Sequence, residues 1–393
     1  MNKSTLYGIF VVSIIFLVSL SSLNVLNVKG QEDTWITLAS MPTPRCGLGL
    51  AVVNNKIYAI GGKIGDTATG ANEMFNPATN RWTPKTPMPT PRAYFALTTY
   101  QNKIYVIAGS EGTYSSFINT IEVYDTITDT WTSMDNGDID DVAYLNAHTI
   151  DDKIYVVSGT ISPFITGGNS KNNYCYSLTS KYWSKKESIP YSVSGYASVV
   201  VDEKIYVIGG REVPVKLHGF TQIYDSVLDK WDSGVTLPSG EYFIYGASTS
   251  GKYAPKRIHV FGTRVHYVFD FDTNKWTSES LFPSHRNHFQ VAVIDDFIYV
   301  IGGRDQDGNE ISTNEVYTPI GHKLSYNMPY SKPAITPTPT ISPTPTIEPT
   351  STPTSTPDSL QTKLPSTLEI VTIVILTVVA LGLVVNLVKK RRS

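Results

Sequence analysis

Apolar and polar positions along this chain fall into a phrase that keeps returning. "KIYVIGG" at Lys204–Gly210 is echoed by "KIYAIGG" from Lys56, "KIYVIAG" from Lys103, "KIYVVSG" from Lys153 and "FIYVIGG" from Phe297, with a worn copy, "RIHVFGT", from Arg257. Copies at intervals of roughly 40 to 53 residues mark an array of repeated units. In the second unit "AYFALTTYQNKIYVIAG" leads to "NTIEVYDTITDTWTSM". Its apolar runs are broken by the polar turns "QNK" and "TITD", which predicts four short antiparallel strands, A to D. "IYVIAG" is apolar on both faces of the pleat, so strand B is covered on both sides. A lone four-stranded sheet cannot achieve that, and each unit has to stack on its neighbours.

The second half of each unit follows a stricter spacing. An aromatic precedes a Trp by seven residues in Phe75/Trp82, Tyr124/Trp131, Tyr176/Trp183, Tyr224/Trp231 and Phe269/Trp276, while Tyr317 has Leu324 at that distance. A proline follows the Trp by another seven in Pro42, Pro89, Pro190, Pro238 and Pro283, and "WTSMDNGD" departs from this. These residues resemble the kelch family, whose hallmarks are a glycine doublet closing the second strand, a Tyr in the third, a Trp opening the fourth and an "MPxPR" turn. "MPTPR" (twice), "IYAIGG" and "FNPATNRW" carry the resemblance, which covers roughly residues 34–329. It implies an all-β, six-bladed propeller over residues 31–330. Ala108, Ser158 and Thr263 stand at glycine positions, so blades 2, 3 and 5 are expected to be less regular. Six A-B-C sets face seven candidate D strands. Either "WITLAS" at Trp35 or "KLSYN" near Leu324 closes the ring, and the full Trp hallmark favours Trp35.

The ends change the picture. Residues 1–30 have the basic, apolar and small-residue layout of a secretory signal peptide, with an uncleaved anchor as the other reading. Residues 331–367 are a Pro/Thr/Ser-rich stretch expected to be a disordered stalk. Residues 368–388 are long and apolar enough for one transmembrane helix, and the basic tail 389–393 marks its cytoplasmic end. The expectation is a single-pass cell-membrane protein with an extracellular propeller. Net charge is −2, which excludes a nucleic-acid partner that needs a basic stripe. Cys46 and Cys175, more than two repeats apart, are read as buried small hydrophobes and not as a disulfide.

Candidate chemistry follows from strand direction. With A to D running alternately up and down, D–A and B–C loops share one face, the mouth. It is expected to gather Arg45, Arg92 and Arg286 from D–A turns and Arg211 and Arg304 from B–C loops. Tyr94, Tyr144, Glu241, Tyr242 and His288 are placed at the first residues of A strands, near the axis. Guanidiniums among aromatic rings suit a carboxylate or a sugar. The other reading of the "PR" arginines is that they brace loops through backbone carbonyls. The turns of the opposite face, such as "NNK", "DEK" and "TITD", read as short and polar. His285 and His288, three apart on a strand, face opposite ways and make no metal pair. "DQDGNE" at Asp305 reads as an Asp-Gly turn and not a calcium loop. Kelch-type copper oxidases use a Cys–Tyr pair with Tyr and His ligands. Cys46 lies near the mouth, but no matching set is found, and no cofactor is expected. The favoured function is a cell-surface recognition module for an extracellular protein or glycan, held to the membrane by its C-terminal helix. The alternative is a sugar-active kelch enzyme, such as a sialic acid mutarotase or epimerase, using an Arg with Glu241 as acid–base groups.

Overall fold

The computed structural model describes residues 32–323, apart from 113–115, 138, 162–167 and 214–215. The expected signal segment, stalk, membrane span and basic tail lie outside the described residues, and so does the "KLSYN" segment from Leu324 onward. Among the described residues no helix is long and apolar enough to cross a membrane.

Each returning phrase is the second strand of a four-stranded antiparallel sheet, and six such sheets form the propeller. In blade 1, strands A to D are Gly49–Val53, Lys56–Ile60, Asn72–Asn76 and Arg81–Pro84. Blades 2, 3 and 4 open on Ala96–Tyr100, Asn146–Ile150 and Ala197–Val201. Blade 5 comprises Tyr245–Thr249, Arg257–Phe261, His266–Asp270 and Lys275–Ser278. The A strands contact one another around the axis. The apolar core is divided into slabs between neighbouring blades. Ile57, Ala59 and Phe75 of blade 1, for example, pack against Tyr299, Ile301 and Val316 of blade 6. Blades 1 and 2 share a second slab built on Tyr58, Ile60, Val106 and Tyr124. This is why strand B is apolar on both faces: each face of the sheet meets a different neighbour.

The seven-residue spacing between aromatic and Trp has a direct cause. In register, Tyr124 pairs with Trp131 and Tyr224 with Trp231 across the C–D hairpin. The rings lie against each other with centroids 5.0 and 5.1 Å apart. Each of the six indole N–H groups donates to a carbonyl of the preceding blade, as from Trp82 to Ala39 and from Trp231 to Glu187, both at 2.8 Å. The Trp therefore fills the interblade gap and also hydrogen-bonds across it.

Trp35 closes the ring. Blade 6 takes strands A to C from Gln290–Ile294, Phe297–Ile301 and Asn314–Thr318, and its fourth strand is Thr34–Thr37 from the other end of the described chain. Trp35 pairs with Tyr317, its ring 4.9 Å away, and its indole donates to Ser280 of blade 5 at 3.2 Å. The outer edge of strand C, Asn314–Thr318, is covered in this way.

The glycine doublets separate into two requirements. The first position takes φ near 60° and tolerates Ala108 (57°) and Ser158 (54°) beside Gly61 (60°). The second, such as Gly62 at 100°, is glycine in all five clear copies, and a Cβ there would sit 2.8 Å from the Cys46 carbonyl. The Ser158 hydroxyl lies within donating reach of the carbonyls of Ser170 and Val193, at 2.8 and 2.7 Å. Blades 2 and 3 consequently keep the regular geometry despite their departures. Blade 5 does not, since Gly262 and Thr263 lack this pair of positive φ values. Both cysteines are buried and free.

Candidate functional site

D–A and B–C loops do lie on one face, because they pair with each other. Cys46 bridges to Lys63, Ala93 to Ser110, Ser194 to Arg211 and Asn287 to Arg304. Where the blades converge, six residues preceding the A strands hold left-handed φ values: Gly47, Tyr94, Tyr144, Gly195, Phe243 and His288, all between 51° and 63°. Their backbones form a chain of hydrogen bonds around the axis. His288 O accepts from Gly47 N at 2.9 Å, Gly47 O from Tyr94 N at 2.9 Å, Tyr94 O from Tyr144 N at 2.8 Å and Tyr144 O from Gly195 N at 3.1 Å. Four of the six carry rings, and the rings form a closed circuit. Centroid separations are 4.4 Å for Tyr94–Tyr144, 5.6 Å for Tyr144–Phe243, 4.4 Å for Phe243–His288 and 5.4 Å for Tyr94–His288. The two glycines are needed beside them, since a Cβ on Gly47 would lie 2.7 Å from the Tyr94 ring. This tetrad caps the channel at the mouth. Beneath it is a cavity of about 70 Å³ lined by Leu48, Asn146, Ser198 and Tyr245. Further along the axis a space of about 260 Å³ is bordered by Thr98, His148 and Gln290. Burial, with the nearby positive charges of Arg304 and Lys63, pulls His288 down to about 4, so its ring in the tetrad is neutral at physiological pH.

The "PR" arginines are not at the surface of this mouth. Arg45, Arg92 and Arg286 have 0 % exposure, which corrects their placement among the ligand-facing groups. Each turns inward to a glutamate of its own strand C: Glu73 at 2.5 Å, Glu122 at 2.7 Å and Glu315 at 2.5 Å. Arg45 also donates to the carbonyls of Gly61 and Ala59, both at 2.8 Å. The hydroxyls of Thr43, Thr90 and Ser284, two residues before each Arg, donate to the second carboxylate oxygen. Burial lowers the pKa of all three guanidiniums, while the opposing carboxylates of Glu73, Glu122 and Glu315 hold them charged. The bracing reading is the one the geometry realises.

The other expected residues divide by position. Tyr94, Tyr144 and His288 are in the tetrad, although they lie just before the A strands and not within them. Tyr242 misses the tetrad by one residue, and Phe243 takes the place expected for it. Tyr242 instead stands at the rim, 40 % exposed, with the Arg211 guanidinium over its ring at 5.7 Å. Glu241 accepts from the Ser239 hydroxyl at 2.7 Å and its backbone carbonyl from Gly210 N. Arg304 pairs with Glu310 at 2.5 Å, and that pair stands over the buried Cys46 thiol, 3.9 Å from Glu310. Burial pushes that thiol up. Asp305 caps its own loop, accepting from Asn309 N at 2.8 Å and Asp307 N at 3.0 Å, as an Asp-Gly turn does. The opposite face is less polar than its turns suggested: Ile127, Val227 and Leu228 are exposed there, Val227 at 77 %.

Residues 18–232 match the Attractin/LZTR1 beta-propeller family, and residues 285–323 match the Kelch motif. This chain belongs to the kelch-repeat β-propeller family. The kelch propeller is 26 % identical to Kelch-like protein 26 of Danio rerio over 38 % of this chain and 27 % of that one. With Kelch-like protein terF of Aspergillus terreus it shares 28 % identity over 50 % of this chain and 46 % of the other. Human Kelch-like protein 30 is 32 % identical over 64 % of this chain and 38 % of its own length. The chain thus spans less than half of these curated relatives. Among solved structures, that of YjhT superposes with a TM-score of 0.59 at 15 % identity, covering 70 % of this chain and 95 % of that one, a likeness of fold.

Proposed function

We propose that this kelch propeller is a binding module for a protein, displayed at the cell surface, and that its contact surface is the mouth-side rim around blade 4. The observation that carries the reading is an exposed aromatic ridge on adjoining loops. Tyr191 is 51 % exposed with the Phe220 ring tilted against it at 4.9 Å, Leu217 and Tyr242 are exposed on adjoining loops, and Arg211 lies over Tyr242. Tyr and Arg on a rigid scaffold are the residue types that dominate protein-binding energy, and exposed apolar surface of this kind suits a protein partner more than a small anion. The axis offers less, because the tetrad covers it. Surface display rests on the signal-like and membrane-spanning sequences at the two ends. The test is cross-linking on intact cells with a photoreactive group at position 242, followed by affinity measurements on the captured protein. Replacing Tyr191 and Tyr242 with Ala is expected to cost about 2–4 kcal/mol of binding, against little change for Val227→Ser with Leu228→Ser on the other face. Capture of a glycan, or conversion of a sugar by the propeller, would reject the reading.

A further inference from the structure

Blade 5 departs from its five siblings at two positions, and the two departures meet. Strand B carries Tyr58, Tyr105, Tyr155, Tyr206 and Tyr299 at its third position, but His259 in blade 5. Strand C opens on Asn72, Ile121, Asn173, Thr221 and Asn314, but on His266 in blade 5. The ladder pairs His259 with Val268 and Phe261 with His266, which sets the two imidazoles diagonally on one face. Both are buried. His259 Nδ1 is 3.1 Å from His266 Nε2 and 4.0 Å from Glu279 Oε2, and the three residues each bring a ligand atom within 4.8 Å of the others.

The surroundings assign the lone pairs. His266 donates its Nδ1–H to the Ser280 carbonyl at 2.9 Å, which leaves Nε2 as an acceptor for the Nδ1–H of His259, the proton that a metal would displace. A carbonyl behind the ring is the usual support of a ligating histidine. Glu279 turns Oε1 to Arg257 at 3.8 Å, whereas Oε2 faces the histidines and accepts the Tyr317 hydroxyl at 2.5 Å. Arg257 itself is held more closely by Asp270, at 2.9 Å. Among the described residues His259 Nε2 has no hydrogen-bond partner although fully buried, so histidine is a poorer scaffold residue here than the tyrosine of the other blades.

We propose that His259 Nδ1, His266 Nε2 and Glu279 Oε2 supply three ligands of a buried divalent transition-metal site, with zinc the best match and a water in the fourth position. Two imidazoles and a carboxylate are zinc ligands, and bonds of about 2.0–2.1 Å place tetrahedral ligand atoms roughly 3.3–3.4 Å apart, close to the spacing of the nitrogens. The metal would tie strands B and C of blade 5 to the segment leaving strand D, beside the seam that Trp35 closes.

The test uses the full-length chain, stripped with a chelator and then exposed to Zn²⁺ or Co²⁺. The expected result is about one metal per chain retained after desalting, a visible cobalt spectrum of tetrahedral type, and a melting temperature raised by zinc. His259→Tyr restores the residue of the other five blades, so it is expected to fold while losing roughly tenfold or more in metal retention together with the cobalt band. Should that variant not fold, the near-isosteric Glu279→Gln carries the same comparison. No retained metal in the parent chain, or equal retention in the folded variant, overturns the site.

Discussion

Arg92 ends against Glu122 and the carbonyls of Ala108 and Thr120, out of reach of solvent. Replacing it with Ala leaves a buried carboxylate without its counter-charge, and the expected loss of stability is about 3–5 kcal/mol, read from urea unfolding. Arg92→Lys is expected to fall between the two, because an ammonium cannot fork to a carboxylate and two carbonyls together. A variant as stable as the parent would return this arginine to the ligand-facing set. The partnership was legible in the sequence, though not by reading loops alone. Across the six blades the position of Arg92 holds Arg45, Arg92, Val142, Val193, Glu241 and Arg286. The position of Glu122 holds Glu73, Glu122, Tyr174, Gln222, Tyr267 and Glu315. Arginine and glutamate arrive together in blades 6, 1 and 2 and leave together elsewhere, as members of one buried pair must. The tetrad was less legible, since a Tyr or Phe at positive φ announces itself only through the glycines that replace it in blades 1 and 4.

At the scale of elements, the period of the apolar phrase was enough to place every strand B, and the aromatic–Trp spacing every C–D hairpin. The origin of the last D strand was not fixed by spacing, because Leu324 satisfies the same distance as a Trp would. Contacts across the seam decide it: Asp33 accepts from Ser280 N at 3.0 Å and lies 2.8 Å from the Tyr317 hydroxyl, while Trp35 lies edge-on to Phe261 and Phe282. Trp35→Ala is expected to lower stability by about 3–5 kcal/mol, measured as the melting temperature of the variant against the parent. An unchanged transition would mean that the seam is held without the indole. Blade 5 is where reading by repeat slipped, by one residue at Tyr242. Its B–C connection is reduced to Gly262–Val265 and lacks the glycine pair that anchors the alignment elsewhere.

At the scale of the molecule, the proposal that the propeller lies outside the cell rests on the signal-like sequence of residues 1–30 and the apolar sequence of residues 368–388. Protease added to intact cells is expected to cut in the Pro/Thr-rich stretch and release a folded fragment of about 300 residues, visible on a gel. A fragment protected until the cells are lysed would reverse that orientation. The closed ring also bears on load. Strand C of blade 6, Asn314–Thr318, is the last strand of the described chain, and it has a partner on each side, Phe297–Ile301 and Thr34–Thr37. Tension entering through residues beyond Thr318 would therefore meet a strand clamped between two ladders, where an edge strand would have only one to break. One of those clamps is the first strand of the described chain, so a pull at one end of the propeller is resisted by the strand from its other end.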